Sequence, residues 1–112
     1  MSRPLPIVDP KKTSVQLRFG KGLLTRIDRM AEEIGISRNT WVSEAADKHL
    51  TNGKPVRYRT TAAELMAGRV AIMLRMDPIA VDLIDEAAKE EGVSRTIWLM
   101  DACLAALKRE PL

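Results

Sequence analysis

Apolar and polar side chains alternate along Thr13-Ser14-Val15-Gln16-Leu17-Arg18-Phe19. A period of two predicts a strand with Val15, Leu17 and Phe19 on one face and Ser14, Gln16 and Arg18 on the other. The alternation returns in Val70-Ala71-Ile72-Met73-Leu74-Arg75-Met76, where Val70, Ile72, Leu74 and Met76 form the apolar side and Arg69, Ala71, Met73 and Arg75 the opposite one. After each strand the period becomes helical. Leu23, Leu24, Ile27, Met30, Ala31 and Ile34 make one stripe, and Val81, Ile84, Ala87 and Ala88 make another. Asp77 followed by Pro78 suits an N-cap and first helical residue, and Gly35 and Gly92 suit helix stops. Ser37 and Ser94 then read as N-caps of two further helices. Their predicted buried faces are Trp41, Val42, Ala45 and Leu50 in one, and Trp98, Leu99, Ala102 and Leu107 in the other.

The two halves are copies. A shift of 57 positions lays Leu17 and Arg18 on Leu74 and Arg75, and Ile27 and Asp28 on Ile84 and Asp85. It also matches Gly35, Ser37, Arg38 and Trp41 with Gly92, Ser94, Arg95 and Trp98. A shared offset at so many positions marks a duplicated unit of strand, helix, helix. A unit of about forty residues is near the size below which a domain cannot bury enough apolar surface, so the copies are expected to share one core. A lone short strand is not stable either, and its simplest partner is the other copy, paired antiparallel. The fold class expected is therefore mainly α with a two-stranded antiparallel β-ribbon, the two repeats closing on each other as an intramolecular pseudo-dimer. Repeat one spans 12–50 and repeat two 69–108. Residues 1–11, with three prolines, read as an extended basic arm or a disordered tail. Residues 51–68 read as a linker that opens on Thr51-Asn52-Gly53-Lys54-Pro55, is extended and basic at 56–59, and allows a helical turn within 60–66.

The net charge of +3 is unevenly spread. Residues 1–50 carry +3, residues 51–68 carry +2 and residues 69–112 carry −2. An excess of cations in the first repeat and the linker suits a polyanion contacted more heavily by one half, or ordinary surface charge. Enzymatic constellations are missing. His49 is the one histidine and Cys103 the one cysteine, so a nucleophile–base pair, a His/Cys metal site or an internal disulfide lacks partners. His49 near a helix end is accounted for as a favoured cation. Asp28, Glu32, Glu33, Asp85, Glu86, Glu90 and Glu91 read as solvated helix faces, and Gly20-Lys21-Gly22 lacks the rest of a phosphate loop. No enzyme, cofactor or small-molecule substrate is expected. The single cysteine fits a reducing cytoplasm, and no apolar run suits a membrane span or a signal peptide.

The duplicated strand–helix–helix pattern, with Gly-Ile-Ser-Arg at 35–38 and Gly-Val-Ser-Arg at 92–95, resembles the ribbon-helix-helix family of DNA-binding proteins in a tandem, single-chain form. The resemblance covers 12–50 and 69–108. It implies that the outward strand positions Ser14, Gln16, Arg18, Ala71, Met73 and Arg75 read bases in the major groove. Their chemistry fits: glutamine pairs with adenine, arginine with guanine, and small apolar groups meet the thymine methyl. The plain alternative is the solvent face of an exposed ribbon. It also implies that the N-termini of the second helices, with Ser37, Arg38, Asn39, Ser94, Arg95 and Thr96, hold flanking phosphates, as unpaired N–H groups favour. Lys12 and Arg69, at the ribbon ends, are within reach of phosphate too.

The expected partner is double-stranded DNA, with a second copy of the chain on adjacent sites. Because the two strands differ, the core site is expected to be non-palindromic. The expected role is a transcriptional repressor or regulator, bacterial or encoded by a phage or plasmid, and nucleoid-associated. A plasmid transfer or partition accessory protein is an alternative. An antitoxin is another, although the chain ends at Leu112 without a long toxin-binding tail. A reading from a different class is a helical dimerisation module that binds protein and no DNA.

Overall fold

The computed structural model describes residues 12–52 and 67–109. Six elements follow in order: β1 (Thr13–Phe19), α1 (Lys21–Ile34), α2 (Arg38–Asn52), β2 (Val70–Met76), α3 (Pro78–Glu91) and α4 (Arg95–Arg109). The protein is mainly helical with one two-stranded antiparallel sheet. Each element of the second half starts 57 positions after its counterpart, at 70 after 13, 78 after 21 and 95 after 38. The expected arm at 1–11 and the linker features expected at 53–66 lie outside the described residues. Among the described residues no helix is long and apolar enough to cross a membrane.

The strands pair in the register Thr13↔Met76, Gln16↔Met73 and Phe19↔Val70. Their alternation sorts the side chains as expected. Val15, Leu17 and Phe19 from β1 and Ile72, Leu74 and Met76 from β2 are buried against the helices. Val70 departs from the expected apolar side and is exposed. It is the first residue of β2, at the ribbon's end, while its partner Phe19 is fully covered.

Helix ends follow local chemistry. The Asp77 carboxylate accepts from the Ile79 N–H at 2.8 Å, and Pro78 occupies the first turn of α3. Gly35 and Gly92 adopt φ of +86° and +71°, a left-handed backbone that costs a non-glycine residue about 1–2 kcal/mol. Past each glycine the chain folds back: Ile36 N–H reaches the Ala31 carbonyl and Val93 N–H reaches Ala88, both at 2.9 Å. This helix stop brings the residue after the glycine onto the core. It also corrects the expected stripe, since Ile34 is 53% exposed while Ile36 packs against the core. Gly20 offers α1 no side-chain cap; the Ala67 carbonyl accepts from the Lys21 N–H there at 3.1 Å.

The core lies between the ribbon and the four helices, and α4 is its centre. A single buried face was expected for α4, yet every residue from Trp98 through Leu107 is buried. A helix that is apolar all round belongs inside, and α4 is nearly so, whereas α2 keeps Glu44, Asp47 and Lys48 in solvent. Two polar residues share this interior. His49 is only 4% exposed, its ring edge-on to Trp98 with centroids 4.9 Å apart, so it is part of the core as well as near the helix end. Asp101, which no pattern singled out, is 1% exposed.

Candidate functional site

With one ribbon face sealed into the core, the other presents Ser14, Gln16, Arg18, Ala71, Met73 and Arg75, all exposed. The register arranges these as three cross-strand pairs: Ser14 with Arg75, Gln16 with Met73, and Arg18 with Ala71. A polar pair with one arginine therefore stands at one end, the glutamine–methionine pair in the middle, and the second arginine at the far end. Lys12 precedes β1 beside the Ser14–Arg75 end and is exposed. Arg69 precedes β2 beside the Arg18–Ala71 end. There Arg69 Nη1 donates to the Arg18 carbonyl at 3.3 Å, and Arg18 Nη2 donates to the Arg69 carbonyl at 3.5 Å. Met73 is 55% exposed on this face. A thioether gains nothing from water, so its position invites an apolar contact.

The starts of α2 and α4 flank the ribbon. Ser37 Oγ accepts from the Thr40 N–H at 3.0 Å, and Ser94 Oγ accepts from the Ile97 N–H at 3.1 Å. Both serines are thus N-caps, each satisfying one of the donors a helix start leaves unpaired. The arginines that follow find carboxylates in their own half of the chain. Arg38 donates through Nε and Nη2 to both oxygens of Asp28 at 2.8 Å. Arg95 does the same to Asp85 at 2.7 Å. Asp28 and Asp85, expected as solvated acids, stay 47% and 43% exposed and also tie each second helix to the first. Beside these pairs the Arg38 and Arg95 side chains remain 40% and 37% exposed.

Hydrogen bonding from the arginine holds each aspartate below the ordinary carboxylate value of 3.8, against a smaller opposing effect of burial. A lowered folded value means that the pair's contribution is present above the ordinary range and is lost as pH falls through the lowered value. The pairs remain 37–47% exposed, so each is worth less than about 1 kcal/mol. Asp28→Asn with Asp85→Asn is therefore expected to lower stability modestly near neutral pH. The gap from the parent should narrow as the pH drops below 3.8, as urea unfolding at a series of pH values would measure.

Asn39 and Thr96 occupy matching positions, one residue after these arginines, but behave differently. Arg75 N–H donates to Asn39 Oδ1 at 2.7 Å, and Asn39 Nδ2 donates to the Arg75 carbonyl at 2.8 Å. The amide is thus committed to the outer edge of β2. Among the described residues Thr96 makes no bond to the strand. It lines instead an open groove of about 460 Å³ with Gln16, Leu17, Arg18, Arg69, Ala71 and Ser94. Sequence spacing had grouped Asn39 and Thr96 as equivalent; the one signal separating them is the side-chain type itself.

Among the described residues no group of three or more His, Cys, Asp or Glu side chains is placed to hold a metal ion. Complete burial pushes the Cys103 thiol well above its ordinary range, away from the reactive thiolate. No protein-family model, curated protein or solved structure matches this chain.

Proposed function

We propose that the chain is a tandem ribbon-helix-helix protein that binds double-stranded DNA sequence-specifically, its ribbon in the major groove, and acts as a transcriptional repressor or regulator. The observation that carries this reading is the exposed ribbon face: two arginines, a glutamine, a serine and two apolar groups in three pairs, backed by a sealed core. A two-stranded ribbon fits the major groove, and these side-chain types match its donor, acceptor and methyl pattern. At about 3.3 Å per residue, the distance from Ser14 to Arg18 is about 13 Å. With one base pair per 3.4 Å along the helix axis, this face covers about four base pairs.

The pairing register supports the pseudo-dimer. Gln16 and Met73 hold the same position in the two repeats and pair with each other, as an approximate two-fold axis between them would require. That axis interchanges Ser14 with Ala71 and Arg18 with Arg75. Ser37 and Ser94 at the helix starts, Lys12 and Arg69 at the ribbon ends, and the part-exposed Arg38 and Arg95 would meet phosphates on either side. In this reading the arginines stabilise the helix pair and the DNA backbone contact at once.

A labelled duplex pool titrated over increasing salt tests the reading. Affinity should fall linearly on a log–log plot, by about a thousandfold between 50 and 200 mM salt if six or so phosphates are engaged. No retention of duplex at low salt would overturn it. One observation favours the protein-binding alternative: Ile79 and Leu83, one turn apart on α3, are exposed large apolar residues. Salt-insensitive capture of a protein partner through that pair, with no duplex bound, would favour it.

A further inference from the structure

The geometry points to Asn39 as a positioning residue that makes the two ends of the ribbon unequal readers of DNA, an inference that rests on the DNA-binding reading above. Arg75 turns both its N–H and its carbonyl away from β1, because Asn39 takes both. In an antiparallel pair such outward-facing residues alternate with the ladder-bonded ones. Arg18 lies four residues along from Ser14, the partner of Arg75, and so turns its own backbone groups to the opposite edge. The position facing that edge is Thr96.

A primary amide offers an acceptor and a donor side by side, the complement of one residue's N–H and carbonyl. Asn39 therefore acts as a short third strand and holds the backbone under Arg75 from the outside. Threonine carries a single hydroxyl on a shorter stem, and the space an amide would fill at Arg18 is part of the open groove. The Arg18 carbonyl takes the long, flexible Arg69 side chain instead, at 3.3 Å.

A bidentate arginine–guanine contact needs its strand held in place, since each such contact discriminates only while both bonds are met. The clamped Arg75 end is the stringent reader. The Arg18 end, held at the groove by the Arg69 side chain rather than by an amide, is the tolerant one and accepts more than one base step. The inequality comes from one side-chain difference in the helices, not from the strand residues that touch bases.

Two exchanges test this: N39T, which gives the first half the second half's residue, and T96N, which does the reverse. Selected duplexes for the parent, R18A and R75A first assign base positions to each arginine. N39T should then lose about tenfold of its discrimination at the Arg75 positions and keep it at the Arg18 positions. T96N should sharpen the Arg18 positions. Even weakening of all duplexes by N39T, with positional preferences intact, would overturn the inference and leave DNA binding standing.

Amide hydrogen exchange on the free protein provides a readout without DNA. The Arg75 amide should exchange about tenfold or more slowly than that of Arg18, with N39T removing the difference and T96N slowing Arg18. Equal exchange in the parent would remove the clamp whatever DNA does. A parent that distinguishes no duplex, yet shows this exchange pattern, would overturn the DNA reading and the role in recognition while leaving the clamp itself in place.

Discussion

Trp98→Ala is expected to lower the unfolding free energy by about 3–5 kcal/mol, the range for emptying a large aromatic site. Trp98 heads the largest fully buried side chains and lies on α4, the helix surrounded by the rest of the core. Removing it strips the edge-on contact from His49 and leaves a cavity between α2 and α4. Domains of this size are stable by about 5–15 kcal/mol, so the variant is expected to be marginal or unfolded at 37 °C. Leu83→Ala, on the exposed surface of α3, is the control and should stay within about 0.5 kcal/mol. Urea midpoints measure both. A loss below about 1 kcal/mol at Trp98 would mean that α4 is not the centre of the core.

Arg18→Ala is expected to weaken binding to the preferred duplex by about ten- to a hundredfold, or 1–3 kcal/mol, and to relax the preference at its base pairs. Among the described residues the one hydrogen bond its side chain makes is the 3.5 Å bond to the Arg69 carbonyl, at the long limit for such a bond, so stability should barely change. The loss is then attributable to DNA rather than to folding. Arg38→Ala should behave differently and weaken all duplexes more evenly, because a phosphate contact carries no sequence information. Fluorescence anisotropy on preferred and scrambled duplexes separates the two patterns. Unchanged binding by Arg18→Ala would rule out the ribbon as the reading element.

What could be read from the chain, and what could not, follows from the range of the forces involved. Alternation and helical stripes are local, so the strands, the four helices and the exposed set from Ser14 to Arg75 were legible from residue type and spacing. The helix stops were legible because Gly35 and Gly92 are required by their backbone angles. The consequence of the stop was not: the turn exchanges Ile34 for Ile36 at the core, and periodicity alone continues the stripe through Ile34. His49 and Asp101 were missed because burial of a polar group depends on which helix packs over it. The motif singles out Arg38 and Arg95 for an anion, but spacing does not show that Asp28 and Asp85, ten residues earlier, are their partners in the fold. Asn39 was missed as a strand clamp for the same reason, since Arg75 lies 36 positions away.

Selection from a random duplex DNA pool, with sequencing of the bound fraction, tests the central claim most directly. The account predicts an enriched motif of about four contacted base pairs that is not palindromic, because the paired strands carry different outward residues. A bound fraction with no enrichment over the starting pool, even at low salt, would contradict it.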